Sequence, residues 1–162
     1  MTEIAEAPAQ RGAGVARISH WIGGAMVPGD SGRSGKVWNP ATGEQSGAVD
    51  FATVEEVDRA VQAAKAAFPA WRAVSLSKRA ELFFRIRQLM DEHRKDLARL
   101  LTLEHGKVTS DALGEVARGL EVIEYACGIP TLLKGSFSEQ ASGGVDVYSI
   151  RQPLGVVAGI TP

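Results

Sequence analysis

Apolar and polar residues change their spacing along this chain, and the change predicts two kinds of structure. Short apolar runs lie on both sides of Gly23-Gly24, which predicts a tight β-hairpin. Further short strands are predicted at residues 36–38 and around residues 47–51. The segment between them, residues 39–44, has the sequence Asn-Pro-Ala-Thr-Gly-Glu, which is typical of a turn. The first part of the chain is therefore predicted to consist of short strands.

After residue 52 the apolar positions follow the spacing of a helix. Thr53 and Glu56 form a capping box that begins the first helix, and we expect Pro69 to end it. Ser77 is expected to cap a second helix, and a third extends from about residue 96 to His105, with Gly106 as its left-handed cap. A fourth helix is predicted from about residue 110 to residue 127. These elements predict a helical layer.

The last part of the chain returns to strand patterns. Residues 129–144 are irregular, whereas apolar and polar residues alternate over residues 145–151 and predict a half-exposed strand. Residues 154–160 are apolar throughout, as in a parallel strand that is covered on both faces. Because no second strand of this kind precedes it, we expect the chain to be the start of a longer α/β protein. The alternative is a core strand of a small α+β domain.

Composition and charge exclude several classes of function. The chain has 162 residues, of which 44% are hydrophobic and 23% charged, and its net charge is -1. This balance is typical of a globular protein and argues against binding to nucleic acid or a membrane surface through bulk charge. No apolar run approaches the roughly 18 residues that cross a bilayer. His20, His93 and His105 have no metal-ligand spacing, so no metal site is expected.

The cysteine content and the first residues bear on location. Cys127 is the single cysteine, which excludes an internal disulfide and favours a reducing, cytoplasmic compartment. Residues 1–17 lack the apolar core of a signal peptide and are expected to be a disordered lead-in.

A series of motifs in order over residues 20–162 resembles the aldehyde dehydrogenase superfamily. No single motif is decisive, and the resemblance depends on their order. The motifs are Trp21-Ile22-Gly23-Gly24, the turn at 39–44, the helical segment 57–64, Phe68-Pro69-Ala70-Trp71, and the segments 103–107 and 153–162. A narrower resemblance, to the CoA-acylating methylmalonate-semialdehyde dehydrogenases, rests on residues 111–122, 124–130, 132–135 and 144–155.

The resemblance implies an α/β fold, of which this chain is the N-terminal portion: a β-hairpin, a helical layer, the start of a Rossmann-like cofactor sheet and one oligomerisation strand. Residues 18–144 would be the N-terminal helical part of the NAD-binding domain. Residues 145–153 would be the oligomerisation strand, and residues 154–162 the first, truncated strand of the NAD-binding sheet. A homo-oligomer, either a dimer or a tetramer, is implied as well.

The resemblance also implies an activity. Methylmalonate or malonate semialdehyde is oxidised when a cysteine thiolate attacks the aldehyde, hydride passes to NAD, and the acyl group moves to coenzyme A with loss of CO2. The products would be propionyl-CoA or acetyl-CoA. In this family the nucleophilic Cys and the oxyanion-hole Asn lie after residue 162, so we expect no catalytic residue in this chain and no activity from it alone. The alternatives are a non-acylating NAD-dependent aldehyde dehydrogenase and a non-enzymatic helical interaction domain.

Arg118 is the predicted substrate-binding residue. It shares a helix face with Asp111, Glu115, Val122 and Tyr125, a face that we expect to be covered. Gly119 beside it would let another backbone or a ligand approach closely. A planar guanidinium matches a carboxylate, and the resemblance implies that an Arg on this helix binds the carboxylate of the semialdehyde. The alternative is an ion pair with Glu115 or Glu121 on the same helix.

The other candidate positions concern the cofactor and the thiol. The resemblance implies that Ile160, Thr161 and Pro162 contact NAD, largely through their backbone. The chain has no Gly-x-Gly-x-x-Gly sequence, so NAD is predicted from the resemblance alone. Cys127 ends an apolar helical stripe and is expected to be a buried structural residue, not the nucleophile.

Overall fold

The computed structural model describes residues 15–161. Most of the predicted lead-in, residues 1–14, and the predicted cofactor contact Pro162 lie outside the described residues. The chain divides into two compact units, Met1–Ala60 and Val61–Pro162. The domain boundaries predicted from the sequence do not include this division.

The first unit contains five short strands. They are β1 (Ala16–Ile18), β2 (His20–Ile22), β3 (Ala25–Val27), β4 (Ser34–Trp38) and β5 (Gln45–Asp50). The strand order β1-β5-β4 forms one sheet, in which β1 runs parallel to β5 and β4 runs antiparallel to it. The prediction that residues 16 and 17 belong to a disordered lead-in is wrong, because both lie in β1. Its partner strand lies about thirty positions further along the chain, so no local pattern reveals β1.

The predicted hairpin and turn are both confirmed. β2 and β3 pair in register around Gly23 and Gly24, whose φ angles of 62° and 82° are left-handed and favour glycine. In the turn, the Gly43 amide donates to the Asn39 carbonyl at 2.8 Å, and the Asn39 amide donates to the Glu44 carbonyl at 2.8 Å. This turn joins β4 to β5 at the edge of the sheet.

The first helix, α1 (Val54–Ala73), begins as predicted but ends later. The Glu56 amide donates to the Thr53 hydroxyl at 3.1 Å, and the Thr53 amide donates to Glu56 Oε2 at 2.7 Å, which confirms the capping box. The prediction that Pro69 ends the helix is wrong, since α1 continues through it to Ala73. Pro69 offers no backbone N–H to the carbonyl four residues earlier, and the helix nevertheless continues past it for about one further turn.

Four more helices follow in the second unit: α2 (Leu76–Glu92), α3 (Arg94–His105), α4 (Thr109–Cys127) and the short α5 (Ile129–Leu132). The predicted cap of α2 is wrong, because Ser75, not Ser77, precedes the helix and accepts a hydrogen bond from the Lys78 amide at 3.4 Å. The left-handed cap of α3 at Gly106 is confirmed by its φ of 82°. No helix in the described part of the chain is long and apolar enough to cross a bilayer.

Small side chains form the centre of the second unit. Helix α4 packs against α2 and α3, and Ala98 and Ala112 are completely buried where α3 and α4 meet. Val116 completes this cluster, with Leu97 and Leu101 packed against it. Alanine at the contact lets the two helix backbones approach closely, so the N-terminal half of α4 has a fixed position.

Beyond α5 the structure departs from the sequence prediction. A hairpin of β6 (Phe137–Ser142) and β7 (Val145–Tyr148) occupies part of the stretch that lacks a regular pattern. The strand predicted for residues 145–151 therefore ends at Tyr148. No strand forms over residues 154–160, and Leu154 and Ile160 have relative exposures of 93% and 102%. A strand needs hydrogen-bonded neighbours, and the described residues offer none to this segment.

Candidate functional site

Helix α4 has two different faces. Ala112, Val116 and Leu120, each four residues apart, are buried, and Leu120 is only 6% exposed. The opposite face carries the predicted substrate-binding residue together with exposed neighbours, which are Asp111, Glu115, Val122 and Tyr125. The spacing therefore predicts correctly which side of the helix packs inward.

Arg118 lies on the exposed face of α4. Within residues 15–161 it has no hydrogen bond and no ion pair, and its charge acts on Glu115 only through space. The apolar side chains that share this face are exposed as well, Val122 at 67% and Tyr125 at 71%. The expectation that this face is covered is therefore not met among the described residues. A charged fork flanked by exposed apolar side chains can receive a small molecule that has one anionic end.

Glu115, the expected intrahelical partner of Arg118, is engaged elsewhere. Lys107 Nζ forms a hydrogen-bonded ion pair with Glu115 Oε1. This hydrogen bond lowers the pKa of Glu115, and the charges of Lys107, His105 and Arg118 act in the same direction against the effect of desolvation. Glu121 is likewise not paired with Arg118 within the described residues. Lys107 lies in the family motif at residues 103–107, and its pairing with Glu115 is not predictable from that motif.

The chain positions Lys107 by means of the turn after α3. Gly106 adopts its left-handed conformation directly after His105, and its amide donates to the Thr102 carbonyl at 2.9 Å. The chain then leads through Lys107 into α4. The Lys107 side chain is 16% exposed, compared with 46% for Glu115, so the stem of the lysine is largely covered while its ammonium contacts the carboxylate.

A mostly apolar groove of about 510 Å³ lies beside this pair. Its walls come from α2, α3 and α4, and it is lined by Met90, Leu97, Leu100, Leu101, Glu104, Glu115, Val116 and Gly119. A side-chain carbon added at Gly119 would meet only the Met90 methyl group, at 3.6 Å, which is an ordinary contact. A side-chain carbon would thus fit at position 119 without displacing a neighbour, so the contacts within the described residues do not require glycine there.

The predicted cofactor-binding residues lie in a different setting. Ile160 and Thr161 belong to the segment without helix or strand, and both are exposed. Within the described residues no hydrogen bond involves either backbone. Free amide and carbonyl groups fit a contact made through the backbone. The structure does not, however, bring these residues into a sheet.

Cys127 is half-buried at the last residue of α4. The nearby charged pair joins α2 to α4: Arg87 Nε donates to Glu124 Oε1 at 2.9 Å, and this bond raises the pKa of Arg87.

No group of three His, Cys, Asp or Glu side chains in residues 15–161 is arranged to bind a metal ion. The candidate binding site consists of Arg118 with the exposed apolar side chains of Val122 and Tyr125 beside it, and the Lys107–Glu115 ion pair lies next to this site without being part of it.

Comparison with known proteins identifies the family. The aldehyde dehydrogenase family profile matches residues 26–162. Malonate-semialdehyde dehydrogenase 2 of Geobacillus thermodenitrificans is 50% identical over 145 residues, which are 90% of this chain and 30% of that protein. The malonate-semialdehyde dehydrogenase of Pseudomonas aeruginosa is 46% identical over 145 residues, 90% of this chain and 29% of its own length.

Solved structures give the same result. A candidate methylmalonate-semialdehyde dehydrogenase from Sinorhizobium meliloti, in complex with NAD, superposes with a TM-score of 0.85 at 46% identity, over 93% of this chain and 30% of that one. The chain thus spans about 30% of the length of its relatives. Because the match runs through strands and helices alike, it does not support a freestanding helical interaction domain. The chain has the N-terminal part of the family's fold, and it belongs to the aldehyde dehydrogenase family.

Proposed function

We propose that the complete protein is an NAD-dependent, CoA-acylating dehydrogenase of methylmalonate or malonate semialdehyde, and that Arg118 binds the substrate carboxylate. The observation that carries this proposal is the guanidinium on the exposed face of α4, which has no ion pair within the described residues. Relatives at 46–50% identity are named malonate-semialdehyde dehydrogenases, and malonate semialdehyde carries a carboxylate that one carbon atom separates from its aldehyde group.

The chemistry of the substrate agrees with the residues on this face. A semialdehyde acid has one charged end and a short apolar body. Arg118 supplies parallel N–H donors for the charged end, while Val122 and Tyr125 supply apolar surface beside it. Holding the carboxylate fixes the distance and direction of the aldehyde carbon from the helix, which is how a remote binding group contributes to rate.

NAD is the proposed oxidant because the Sinorhizobium meliloti relative was solved with it. When bound, NAD would accept the hydride from the aldehyde carbon. In this chain, Ile160, Thr161 and Pro162 are the proposed contacts. Ile160 and Thr161 fit this role in that their backbone groups make no hydrogen bond within the described residues. Coenzyme A is the proposed acyl acceptor, and the cytoplasmic location expected from the sequence stays a prediction.

The proposed enzyme is a homo-oligomer, with the β6–β7 hairpin as the contact. Every residue of both strands is exposed, including Phe137 at 65% and Tyr148 at 73%. An isolated two-stranded hairpin is marginally stable in water, and its open edge can add a strand from another subunit. Light scattering of the complete enzyme should give a dimer or a tetramer, and a monomer would contradict this part of the proposal.

The test of the carboxylate site is kinetic. In the complete enzyme, Arg118→Ala should lower kcat/KM for malonate semialdehyde at least about tenfold, as expected when a charge-assisted hydrogen-bonded pair is lost. Arg118→Lys should retain part of the activity because a point charge replaces the fork. Arg99→Ala is the matched control, because Arg99 is an exposed helix arginine without an ion pair in the described chain. An unchanged kcat/KM in Arg118→Ala would overturn the assignment.

The same assay separates acylating from non-acylating chemistry. NADH formation by the complete enzyme should require coenzyme A for repeated turnover, and the product should be a CoA thioester. Sustained turnover without coenzyme A, with release of the free acid, would instead identify a non-acylating aldehyde dehydrogenase.

A further inference from the structure

Glu115 and Arg118 are three residues apart on α4, the spacing at which opposite charges on a helix pair. In the structure this pair does not form, because Glu115 binds Lys107 instead. Lys107 lies outside the helix, on the turn that leads into it. The carboxylate closest in sequence to Arg118 on its N-terminal side is thus held by a cation from another segment.

The largely covered stem of Lys107 explains why Glu115 pairs with Lys107 and not with Arg118. Only 16% of the Lys107 side chain is exposed, so its ammonium has a limited set of positions, whereas Glu115 is 46% exposed and could turn toward either cation. Of these two cations, the restrained one forms the ion pair. A restrained ammonium loses less conformational entropy on pairing than a freely rotating one.

The geometry points to Lys107 as a positioning residue that holds Glu115 and thereby keeps Arg118 available for the carboxylate of the substrate. This inference rests on the proposed function, because it assigns a purpose to Arg118 that only a carboxylate substrate would need. Lys107 does not itself contact the substrate in this account. It acts through Glu115.

Two physical effects follow if Lys107 is removed. Glu115 becomes free to pair with Arg118, which would then have to give up this pair to bind substrate. The charge of Glu115 would also stand unneutralised near the binding position and repel an incoming carboxylate. Both effects weaken the binding of an acidic aldehyde, and neither acts on an uncharged aldehyde such as propanal.

The experiment compares malonate semialdehyde with propanal in the complete enzyme. We expect Lys107→Met to lower the ratio of kcat/KM for the acid to kcat/KM for propanal about two- to fivefold, the range for one partly exposed ion pair. The change should lie mainly in KM for the acid. Lys107→Arg should keep the ratio of the unmodified enzyme, and the double variant Lys107→Met with Glu115→Gln should restore it, since the Glu115 carboxylate then no longer competes for Arg118.

Glu115→Gln alone keeps the inference testable if Lys107→Met folds poorly. It should leave the ratio at or above the value of the unmodified enzyme, and a fall would overturn the inference. An equal fall for both aldehydes in Lys107→Met, accompanied by a lower Tm, would also overturn it, because it would show a purely structural role. An unchanged ratio in Lys107→Met would overturn it even where Arg118→Ala lowers kcat/KM. The proposed function fails separately, when Arg118→Ala itself has no effect.

Discussion

Asp50 in the first unit and Leu120 in the second are held by opposite kinds of interaction, although both expose little surface: 9% of the Asp50 side chain is exposed, and the residue Leu120 is 6% exposed. The Asp50 carboxylate accepts hydrogen bonds from Arg17 Nε at 2.9 Å and from the Gly29 amide at 2.8 Å. Leu120 lies on the apolar face of α4. The strand unit therefore depends on directed polar contacts, and the helical unit on packed volume.

The difference has a practical meaning for each unit. A hydrogen bond from a backbone amide fixes one particular loop to one particular side chain, so the first unit should be sensitive to charge and protonation. Packed apolar groups have no direction and no charge, so the apolar contacts around Leu120 should be sensitive to lost volume and not to pH. Substitutions on each side can break this contrast or sharpen it.

The largest expected effect is in the helical unit. Leu120→Ala should reduce the free energy of unfolding by about 2–5 kcal/mol, because a buried leucine leaves a cavity. Val122→Ala is the matched control, two residues further along the same helix at a position that is 67% exposed. It should change the free energy of unfolding by no more than about 0.5 kcal/mol. Urea unfolding followed by circular dichroism measures both, and equal effects would show that α4 does not have one buried face.

A smaller, pH-dependent effect is expected in the strand unit. The hydrogen bonds from Arg17 and Gly29 lower the pKa of Asp50 from 3.8 to about 2. A carboxyl whose pKa is lowered by folding stabilises the folded state above its ordinary pKa, and this contribution is lost as the pH falls through the folded value. Asp50→Asn should therefore lower the urea midpoint at pH 7. The difference in midpoint between the variant and the unmodified chain should become smaller as the pH falls from about 4 to about 2.

The control for this titration is Glu139→Gln. Glu139 is exposed on β6 and makes no ion pair among the described residues. The Glu139→Gln substitution should leave the urea midpoint of the chain unchanged over the same pH range. A difference between Asp50→Asn and the unmodified chain that stays constant down to pH 2 would contradict the assigned role of the Asp50 charge.

The smallest expected effect concerns the start of α2. Ser75→Ala removes the side-chain acceptor for the Lys78 amide and should lower the free energy of unfolding by about 1 kcal/mol. Ser77→Ala, inside the first turn and exposed, should change it by less than about 0.5 kcal/mol. The reverse order would show that the helix begins two residues later in solution, as the sequence pattern alone predicts.

The features that were predicted correctly share a local cause. The capping box of Thr53 and Glu56, the hairpin at Gly23-Gly24 and the cap at Gly106 each depend on residues a few positions apart. Such signals are complete within a short window of sequence. The inward face of α4 was predictable for the same reason, since its spacing repeats along one helix.

The features that were missed depend on distant partners. β1 exists because residues near position 48 pair with it, and β6 is a polar strand that its hairpin partner alone defines. The apolar run at residues 154–160 suggested a strand, although strand formation also requires a neighbour. On α4, the spacing of three residues predicted Glu115 as a partner for Arg118. Spacing within one helix gives no information about Lys107, which lies before the helix and pairs with Glu115 in the structure.

Glu56 has a consequence for protein engineering. Its two carboxylate oxygens serve two segments, one accepting from the Thr53 amide at 2.7 Å and the other from the Asp30 amide at 2.9 Å. The residue is 1% exposed, so solvent cannot take over either bond. A chimera whose crossover point falls between residues 30 and 56 would join a loop from one parent to a helix start from another. Such a crossover keeps both bonds only when the parent that supplies the helix start has a carboxylate at position 56 and the other parent's loop places its amide within reach, so residues 30–56 are best exchanged as a single block.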